Sequence, residues 1–313
     1  MADVLGIDTS NYTTSAAVLD TDDLSFVQCK QLLPVKPGEK GLRQSDAVFH
    51  HTKQLPEMIS SVVKGKSIKA IGVSVKPRLA EGSYMPCFLV GEGAADSIGS
   101  VIGAEPDKTS HQVGHILAAL YSSQRLDLLR SGRPFLAFHV SGGTTDMLLC
   151  NGDRREIVAC KTIGASLDLK AGQLIDRTGL MLGLKFPCGA ELEKLALQSN
   201  KEYYPKPVIK GLDCCLSGIE NKCKDMLAAG EEPCDIAMFC LCSVYSAIRA
   251  MTRAALDISD VSGIVYAGGV MSDKLIAERL AAEFDADFAA PDLSCDNAVG
   301  VALFSAFRKG LIR

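Results

Sequence analysis

The chain has 313 residues, a length that predicts about two domains. Hydrophobic residues make up 47% and charged residues 22%, which predicts a sizeable core and excludes wholesale disorder. The net charge of -4 excludes a strongly basic nucleic-acid binder, so RNA contact would need a local basic patch or a partner.

The cysteines and the N-terminus predict a cytoplasmic protein. Twelve cysteines occur without disulfide-framework spacing and without any CxxC pair, which favours free thiols in a reducing compartment. The opening MADVLGIDTS reads as a strand rather than a signal peptide. No apolar run reaches the roughly 18 residues of a membrane span, so we expect no membrane insertion.

The first part of the chain predicts a sheet followed by helices. Three apolar stretches joined by short polar links predict a β-meander, over 4–10, 13–20 and 25–34. Apolar residues at helical spacing then predict a helix over 45–65, an apolar run predicts a strand over 70–75, and a stretch rich in small residues predicts a second helix over 88–103.

A second meander over 134–153 resembles the first. Aligning Thr13 with Thr144 places Ser10 against Ser141, with apolar strands on both sides of each turn. This match predicts a duplicated architecture with a linker near the glycine and proline of 130–134. We divide the chain into domains 1–131 and 132–313, with the last helix, at about 296–313, packing back on the first domain. A long buried helix over 234–256 and a strand–glycine turn–helix unit over 263–284 complete the second domain.

His111 and His115 form the first candidate site. Four residues apart on a helix, their side chains share one face with Cβ atoms about 5–6 Å apart, close enough to bind one cation. Imidazole suits Zn, Fe or Ni. Two histidines without a metal are the competing interpretation, which spacing alone favours. Gln112 occupies the position of a zincin's general base, so a metalloprotease lacks its glutamate.

Glycine turns and paired aspartates form the other candidate sites. The turns SGGTTD (141–146) and YAGGV (266–270) follow predicted strands and could bind phosphate through backbone N–H groups, although ordinary turns or close packing are equally compatible. Asp168 and Asp176 are predicted on one face of a helix, where a solvated surface is the simpler interpretation. Asp296 is predicted to cap the closing helix and could also bind a metal or its water.

Seven segments together resemble one family, the threonylcarbamoyltransferases that modify tRNA, which have also been called O-sialoglycoprotein endopeptidases. They occur in the family's order over nearly the whole chain: VLGIDTS, HQVGHI, VSGGTT, GASLDLKAGQLIDRTGLMLGLKFPCG, LSGIENK, YAGGVMSD and CDNAVG. The resemblance implies an α/β, two-domain actin/Hsp70/sugar-kinase-like fold with duplicated mixed β-sheet domains and a nucleotide cleft between them.

The resemblance also implies site residues. One divalent metal ion, Fe or Zn with Mg as a further candidate, would be held by His111, His115 and Asp296, and catalytic roles would fall to Asp8, Thr13 and Asp296. An adenine nucleotide, as carbamoyl-adenylate, AMP or ATP, would contact a set of glycine-turn and helix-start positions: Ser141, Gly142, Gly143, Thr144, Asp176, Gly189, Gly268, Gly269 and Asp273.

The chain departs from the family at several positions. Its first turn reads DTSNYTT where the family has ETSCDET, so Tyr12 and Thr13 replace two carboxylates. Thr144 replaces the histidine of SGGHT, and Asp273 replaces an asparagine. The glycine-proline-glycine loop is the longer and more basic VKPRLAEGSYMP. These departures predict a divergent paralogue, whose acceptor is either tRNA or another amine.

We favour metal-dependent transfer of a (threonyl)carbamoyl group from a carbamoyl-adenylate to an amine, with adenine of tRNA as the first candidate. A carbamoyltransferase or kinase-like enzyme acting on a small molecule and a non-catalytic nucleotide-binding scaffold are the alternatives. Expected partners are tRNA, an inactive homologue and an ATPase subunit. A second copy of this chain, in a homodimer, is a further candidate partner. Basic candidates for tRNA phosphates are Lys76, Arg78, Arg125, Arg130 and Arg133.

Overall fold

The computed structural model describes residues 2–10, 12–34, 42–294 and 298–312. These residues form twelve strands: β1 (Asp3–Ser10), β2 (Thr13–Asp20), β3 (Phe26–Leu32), β4 (Ile68–Lys76), β5 (Asp107–Ser110), β6 (Phe135–Val140), β7 (Thr145–Asp153), β8 (Ile157–Ala165), β9 (Val208–Lys210), β10 (Asp213–Cys215), β11 (Ile264–Ala267) and β12 (Asp287–Phe288).

The same residues form ten α-helices: α1 (Gln44–Val63), α2 (Phe88–Ile102), α3 (His111–Ser122), α4 (Ala171–Met181), α5 (Gly189–Ala196), α6 (Ser217–Ala228), α7 (Pro233–Leu256), α8 (Lys274–Ala281), α9 (Pro291–Ser294) and α10 (Val299–Arg308). Two short 3-10 helices cover Leu126–Arg130 and Gly269–Ser272.

The chain divides into two compact units. Unit 1 contains Met1–Leu129, Gly152–Ala159 and Cys295–Arg313, and unit 2 contains Arg130–Asn151 and Cys160–Ser294. The chain therefore first enters unit 2 within the glycine- and proline-rich stretch that the sequence indicates as a linker. Unit 1 also takes the tip of the β7–β8 hairpin and α10.

Each unit is built on a five-stranded sheet, and the two sheets have the same topology. The strand orders are β3-β2-β1-β4-β5 in unit 1 and β8-β7-β6-β11-β12 in unit 2. β1 is antiparallel to β2 and parallel to β4, just as β6 is antiparallel to β7 and parallel to β11. The predicted α/β fold with duplicated mixed sheets is confirmed.

Two glycines of the unit 1 sheet let α10 approach the strands closely. A Cβ on Gly6 of β1 would lie 2.2 Å from the carbonyl oxygen of Ala298, and one on Gly72 of β4 would lie 2.1 Å from that of Val301. α10 also packs against α3, where a Cβ on Gly114 would lie 2.9 Å from the Val301 side chain. These approaches pack α10 against the sheet and α3, which carries His111 and His115, against α10.

The core of unit 2 is organised around α7. Among the described residues this is the one helix long and apolar enough to cross a membrane, which the sequence analysis did not predict. Within its most apolar stretch 72% is buried, and Ile236, Leu241 and Ile248 are at most 1% exposed in the core. This burial is typical of a core helix.

Candidate functional site

The paired histidines lie at the start of α3 in unit 1. The helix begins at His111, and Ser110 caps it by accepting a hydrogen bond from the backbone N–H of Val113 at 3.2 Å. The Nε2 atoms of His111 and His115 lie 2.8 Å apart. The predicted helical spacing therefore brings the two imidazoles into direct contact.

Asp8 supports this pair from β1. Its carboxylate is fully buried, lies 3.1 Å from Nδ1 of His111, and accepts hydrogen bonds from the hydroxyls of Ser10, at 3.0 Å, and Ser74. A carboxylate can only accept at Nδ1, so the neutral His111 ring carries its proton there and presents the lone pair of Nε2 towards His115.

Thr13 and a histidine that the sequence analysis missed lie in the neighbouring strand and helix. Thr13 begins β2, opposite Ser10 of β1, and is 6% exposed. The next residue, Thr14, lies 2.7 Å from Nδ1 of the fully buried His51 and donates to Oε1 of Gln54 at 2.7 Å. Burial lowers the pKa of His51, which favours the neutral ring.

Asp296, predicted as both a metal ligand and a catalytic residue, lies outside the described residues. Within the described part of the chain, no three His, Cys, Asp or Glu side chains are grouped to bind a metal ion. The described metal-ligand candidates are thus two imidazoles backed by one carboxylate.

The Ser141–Thr144 turn joins β6 to β7 in unit 2, as predicted. The backbone N–H of Ser141 donates to the carbonyl of Thr144 at 2.8 Å. The N–H groups of Gly143 and Thr144 both donate to Oγ of Ser141 at 3.2 Å. A phosphate on these two amides would therefore replace the Ser141 hydroxyl, in a turn whose two glycines are exposed.

Two further glycines bring other elements against this turn. β6 and β11 are parallel neighbours, so the loops after them leave the same edge of the sheet. A Cβ on Gly172 of α4 would lie 2.6 Å from the backbone nitrogen of Gly142. Gly268 has a φ of 99°, and a Cβ there would lie 2.3 Å from the carbonyl of Val140. Only glycine allows backbones this close.

Asp176 positions the start of α5. Its Oδ1 accepts the backbone N–H of Cys188 at 2.8 Å, and Gly189 is the first residue of α5. Burial raises the pKa of Asp176, an effect that the Cys188 hydrogen bond opposes. Asp176 and Gly189, both predicted to contact the nucleotide, are thus linked through the hydrogen bond that Cys188 donates to Asp176.

Asp273 caps α8 and lies near α5. Its side chain accepts the backbone N–H of Ile276 at 3.1 Å, and Glu193 of α5 accepts the N–H of Lys274 at 2.9 Å. Burial, with a smaller contribution from the Glu193 charge, raises the pKa of Asp273 to about 6. The helix cap explains its position, and the raised pKa reflects a carboxylate poorly reached by water.

Asp168 corrects one prediction. It was expected on the same helical face as Asp176, but α4 begins only at Ala171 and Asp168 lies in the preceding turn. There it accepts the backbone N–H groups of Leu169, Leu216 and Ser217, and the Ser217 hydroxyl. The Ser166 hydroxyl is a fifth and longer donor, at 3.4 Å. These loop donors keep Asp168 out of the helix, and although burial acts to raise its pKa, the hydrogen bonds lower it.

The structure adds residues that spacing alone could not identify. Ser74 is a polar residue within the apolar run of β4, and His51 is the polar member of the buried face of α1, which is the one sequence signal of their buried hydrogen bonds. Gly172 lies in a helix pattern where a glycine is unfavourable, and that cost indicates a close approach.

Known structures share this fold at low identity. Component A of the (R)-2-hydroxyglutaryl-CoA dehydratase of Acidaminococcus fermentans matches 99% of both chains with a TM-score of 0.55 and 16% identity. HypF of T. kodakarensis matches 99% of this chain and 47% of its own with a TM-score of 0.63 and 11% identity. A ROK family glucokinase from Streptomyces griseus gives a TM-score of 0.56 at 11% identity, covering 97% and 99%. These likenesses show the two-unit fold.

Relatives found by sequence comparison share more sequence identity with this chain than these structures do. A tRNA N6-adenosine threonylcarbamoyltransferase of Streptococcus pneumoniae is 30% identical, over 90% of this chain and 83% of its own. One of Archaeoglobus fulgidus is 25% identical, over 88% and 80%. A probable bifunctional tRNA threonylcarbamoyladenosine biosynthesis protein of Thermoplasma acidophilum is 27% identical, over 88% of this chain and 50% of its own. The sequence model of the tRNA N6-adenosine threonylcarbamoyltransferase family matches residues 36–303. The chain is therefore a divergent member of the tRNA N6-adenosine threonylcarbamoyltransferase family, a family of enzymes.

Proposed function

We propose that the protein transfers a threonylcarbamoyl group from an adenylate to N6 of an adenine in tRNA, with a divalent metal at the His111–His115 pair. Membership of the family supports the reaction class. The observation that carries the proposal is the contact between the two imidazoles, 2.8 Å apart and backed by the carboxylate of Asp8.

The donor set at this pair fits a transition metal. Imidazole nitrogen is a common ligand of Zn and Fe, and metal-bound histidines typically donate their second ring N–H to a carboxylate, the role that Asp8 fills for His111. A metal held there would act as a Lewis acid on the carbonyl of the donor. Asp296 is the proposed third ligand. We assign Asp8 a positioning role, because its oxygens are buried and committed to Ser10, Ser74 and His111.

The adenylate would bind in unit 2. The amides of the Ser141–Thr144 turn would hold its phosphate once Oγ of Ser141 moves aside, and the adjacent turn at Gly268 and Gly269 would border the nucleoside. Asp176 would act by holding the start of α5, and Asp273 by capping α8.

The transfer step needs little base chemistry from the chain. A bond forms between N6 of the adenine and the carbamoyl carbon, the bond from that carbon to the phosphate oxygen breaks, AMP leaves, and one N6 proton passes to the phosphate of the departing AMP or to water. The first turn has Tyr12 and Thr13 instead of carboxylates, and Asp8 is occupied. We therefore infer that the chain contributes mainly orientation and charge stabilisation, with the N6 proton leaving as the new bond forms.

Partner proteins are part of this proposal. The Thermoplasma relative is named bifunctional and is about twice as long as the segment matched here. We propose that the activity carried by its additional segment is supplied to this chain by a separate ATPase subunit, with an inactive homologue and cytoplasmic tRNA completing the system.

The test uses the purified chain with threonylcarbamoyl-adenylate and unmodified tRNA, with and without partner proteins. We expect threonylcarbamoyladenosine in the digested tRNA and no product when the target adenine is replaced by guanine. Transfer to small amines with unmodified tRNA recovered in every mixture would instead establish a small-molecule carbamoyltransferase. If neither transfer reaction occurs and the chain still binds AMP tightly, the protein is a non-catalytic scaffold.

A further inference from the structure

Two cysteines are in contact on neighbouring strands of the unit 2 sheet. Cys150 lies in β7 and Cys160 in β8, and their sulfur atoms are 3.5 Å apart. Residues facing each other on adjacent antiparallel strands have Cα atoms about 4.5–5.5 Å apart, within the roughly 4.4–6.8 Å range of disulfides. The strand spacing therefore suits a bond between these sulfurs without a large backbone shift.

The two thiols differ in access. Cys160 is half-buried on β8, the edge strand of the sheet, whereas Cys150 is fully buried. Burial, aided by the contact with Cys160, raises the pKa of Cys150 well above its ordinary value. Cys160 is thus the thiol that a dissolved reagent reaches first. Cys223 and Cys240 also lie close together, but both are fully buried.

The pair lies at the base of a hairpin whose tip belongs to unit 1. The chain leaves unit 2 after Asn151 and returns at Cys160, with Gly152–Ala159 between them. At the tip, Nη1 of Arg308 in α10 donates to the carbonyl of Arg155 at 2.6 Å. A bond between Cys150 and Cys160 would join the two segments that enter this hairpin.

We propose that Cys150 and Cys160 are a reversible disulfide site that stiffens the β7–β8 hairpin, with a low-molecular-weight disulfide such as oxidised glutathione as the oxidant. The Cys160 thiolate attacks glutathione disulfide, forming a mixed disulfide and releasing one glutathione. Cys150 then attacks the Cys160 sulfur and releases the second glutathione. The two protein thiols lose two protons and two electrons, and one glutathione disulfide becomes two glutathione molecules. This proposal is independent of the transfer reaction.

The test treats the folded full-length chain with oxidised glutathione, blocks free thiols and digests with trypsin. Cleavage after Arg154, Arg155 and Lys161 separates the two cysteines into different peptides. We expect the 156–161 peptide to be linked to the peptide that ends at Arg154, and to be released by reduction. Cys150→Ser should stop at a glutathione adduct on Cys160, and Cys160→Ser should leave Cys150 reduced.

Cys215→Ser is the matched control, since Cys215 is also half-buried in unit 2 and should leave the cross-link unchanged. Circular dichroism verifies that each serine variant is folded. Hydrogen exchange of the hairpin-tip amides in the oxidised protein should slow by about tenfold or more relative to the reduced protein. The proposal is overturned if Cys160 of the folded parent ends as a thiol or glutathione adduct, if the link forms only in urea, or if tip exchange is unchanged.

Discussion

The carboxylate of Asp8 lies 3.1 Å from Nδ1 of His111 and so determines which nitrogen of that ring faces His115. This relationship links β1, the first strand of the chain, to α3 about a hundred residues later. Under the proposed function, Asp8 has a positioning role, which differs from the catalytic role implied by the family resemblance.

Asp8→Asn should weaken metal binding while the fold is retained. Asparagine has one acceptor oxygen where the carboxylate has two, so it can accept the hydroxyl of Ser10 or of Ser74 but not both in the present geometry, and its neutral oxygen is a weaker acceptor for Nδ1–H of His111. The orientation and basicity of His111 should therefore suffer. Loss of such outer carboxylates typically costs about 10- to 100-fold in metal affinity. Competition with a chelating dye measures this. Asp96→Asn, at an exposed carboxylate of α2, is the control and should bind like the parent; equal affinities in all three proteins would refute the positioning role.

Gly268→Ala should destabilise unit 2. The new Cβ would meet the Val140 carbonyl at 2.3 Å, in a backbone conformation with φ of 99° that L-residues rarely adopt. We expect a loss of about 2–4 kcal/mol in the free energy of unfolding, measured in urea. Gly269→Ala has open space around its Cβ and should change stability by less than about 1 kcal/mol. Similar losses in both variants would show that the close approach of Gly268 to β6 is wrong.

Asp273→Asn should stabilise the protein at neutral pH. Folding raises the pKa of Asp273 from 3.8 to about 6, so the folded chain binds this proton more tightly and the parent loses stability as pH rises through that interval. Asparagine caps the helix equally well without that loss. The variant should gain roughly 2–3 kcal/mol over the parent at about pH 7.5, and most of this gain should disappear at about pH 4. A stability gain that does not change with pH would contradict the claim that burial raises the pKa of Asp273.

Gly172→Ala should impair nucleotide binding more than folding. Its Cβ would meet the backbone nitrogen of Gly142 at 2.6 Å and push the Ser141–Thr144 turn away from α4. Since small displacements of binding groups are costly, AMP affinity should fall by about tenfold or more in isothermal titration calorimetry. Gly218→Ala, on an exposed position of α6 with open space, should bind AMP like the parent. Unchanged affinity in Gly172→Ala would place the nucleotide elsewhere.

Periodicity predicts the parts of this protein that are repeated or long. The two meanders, the helical face shared by His111 and His115, and the turn at Ser141 all follow from local patterns, and all are present in the structure. Family resemblance adds the fold and the family, which the comparisons confirm.

Long-range contacts are the part that the sequence does not predict. The local pattern places Asp168 in a helix, because it does not show the hydrogen bonds that Leu216 and Ser217 donate from another part of the chain. The support of His111 by Asp8 joins residues 103 positions apart, which no local spacing encodes, whereas the contact of Cys150 with Cys160 depends on the register of one hairpin.

The central claim is that the paired imidazoles of α3 serve threonylcarbamoyl transfer to tRNA. Its most direct test is the yield of threonylcarbamoyladenosine from unmodified tRNA and threonylcarbamoyl-adenylate, compared for the parent, His111→Ala and His50→Ala, each with partner proteins present. We predict product from the parent and from His50→Ala, whose histidine lies on α1 outside the proposed site, and a loss of about 100-fold or more in His111→Ala. Equal product from His111→Ala and the parent would contradict the claim.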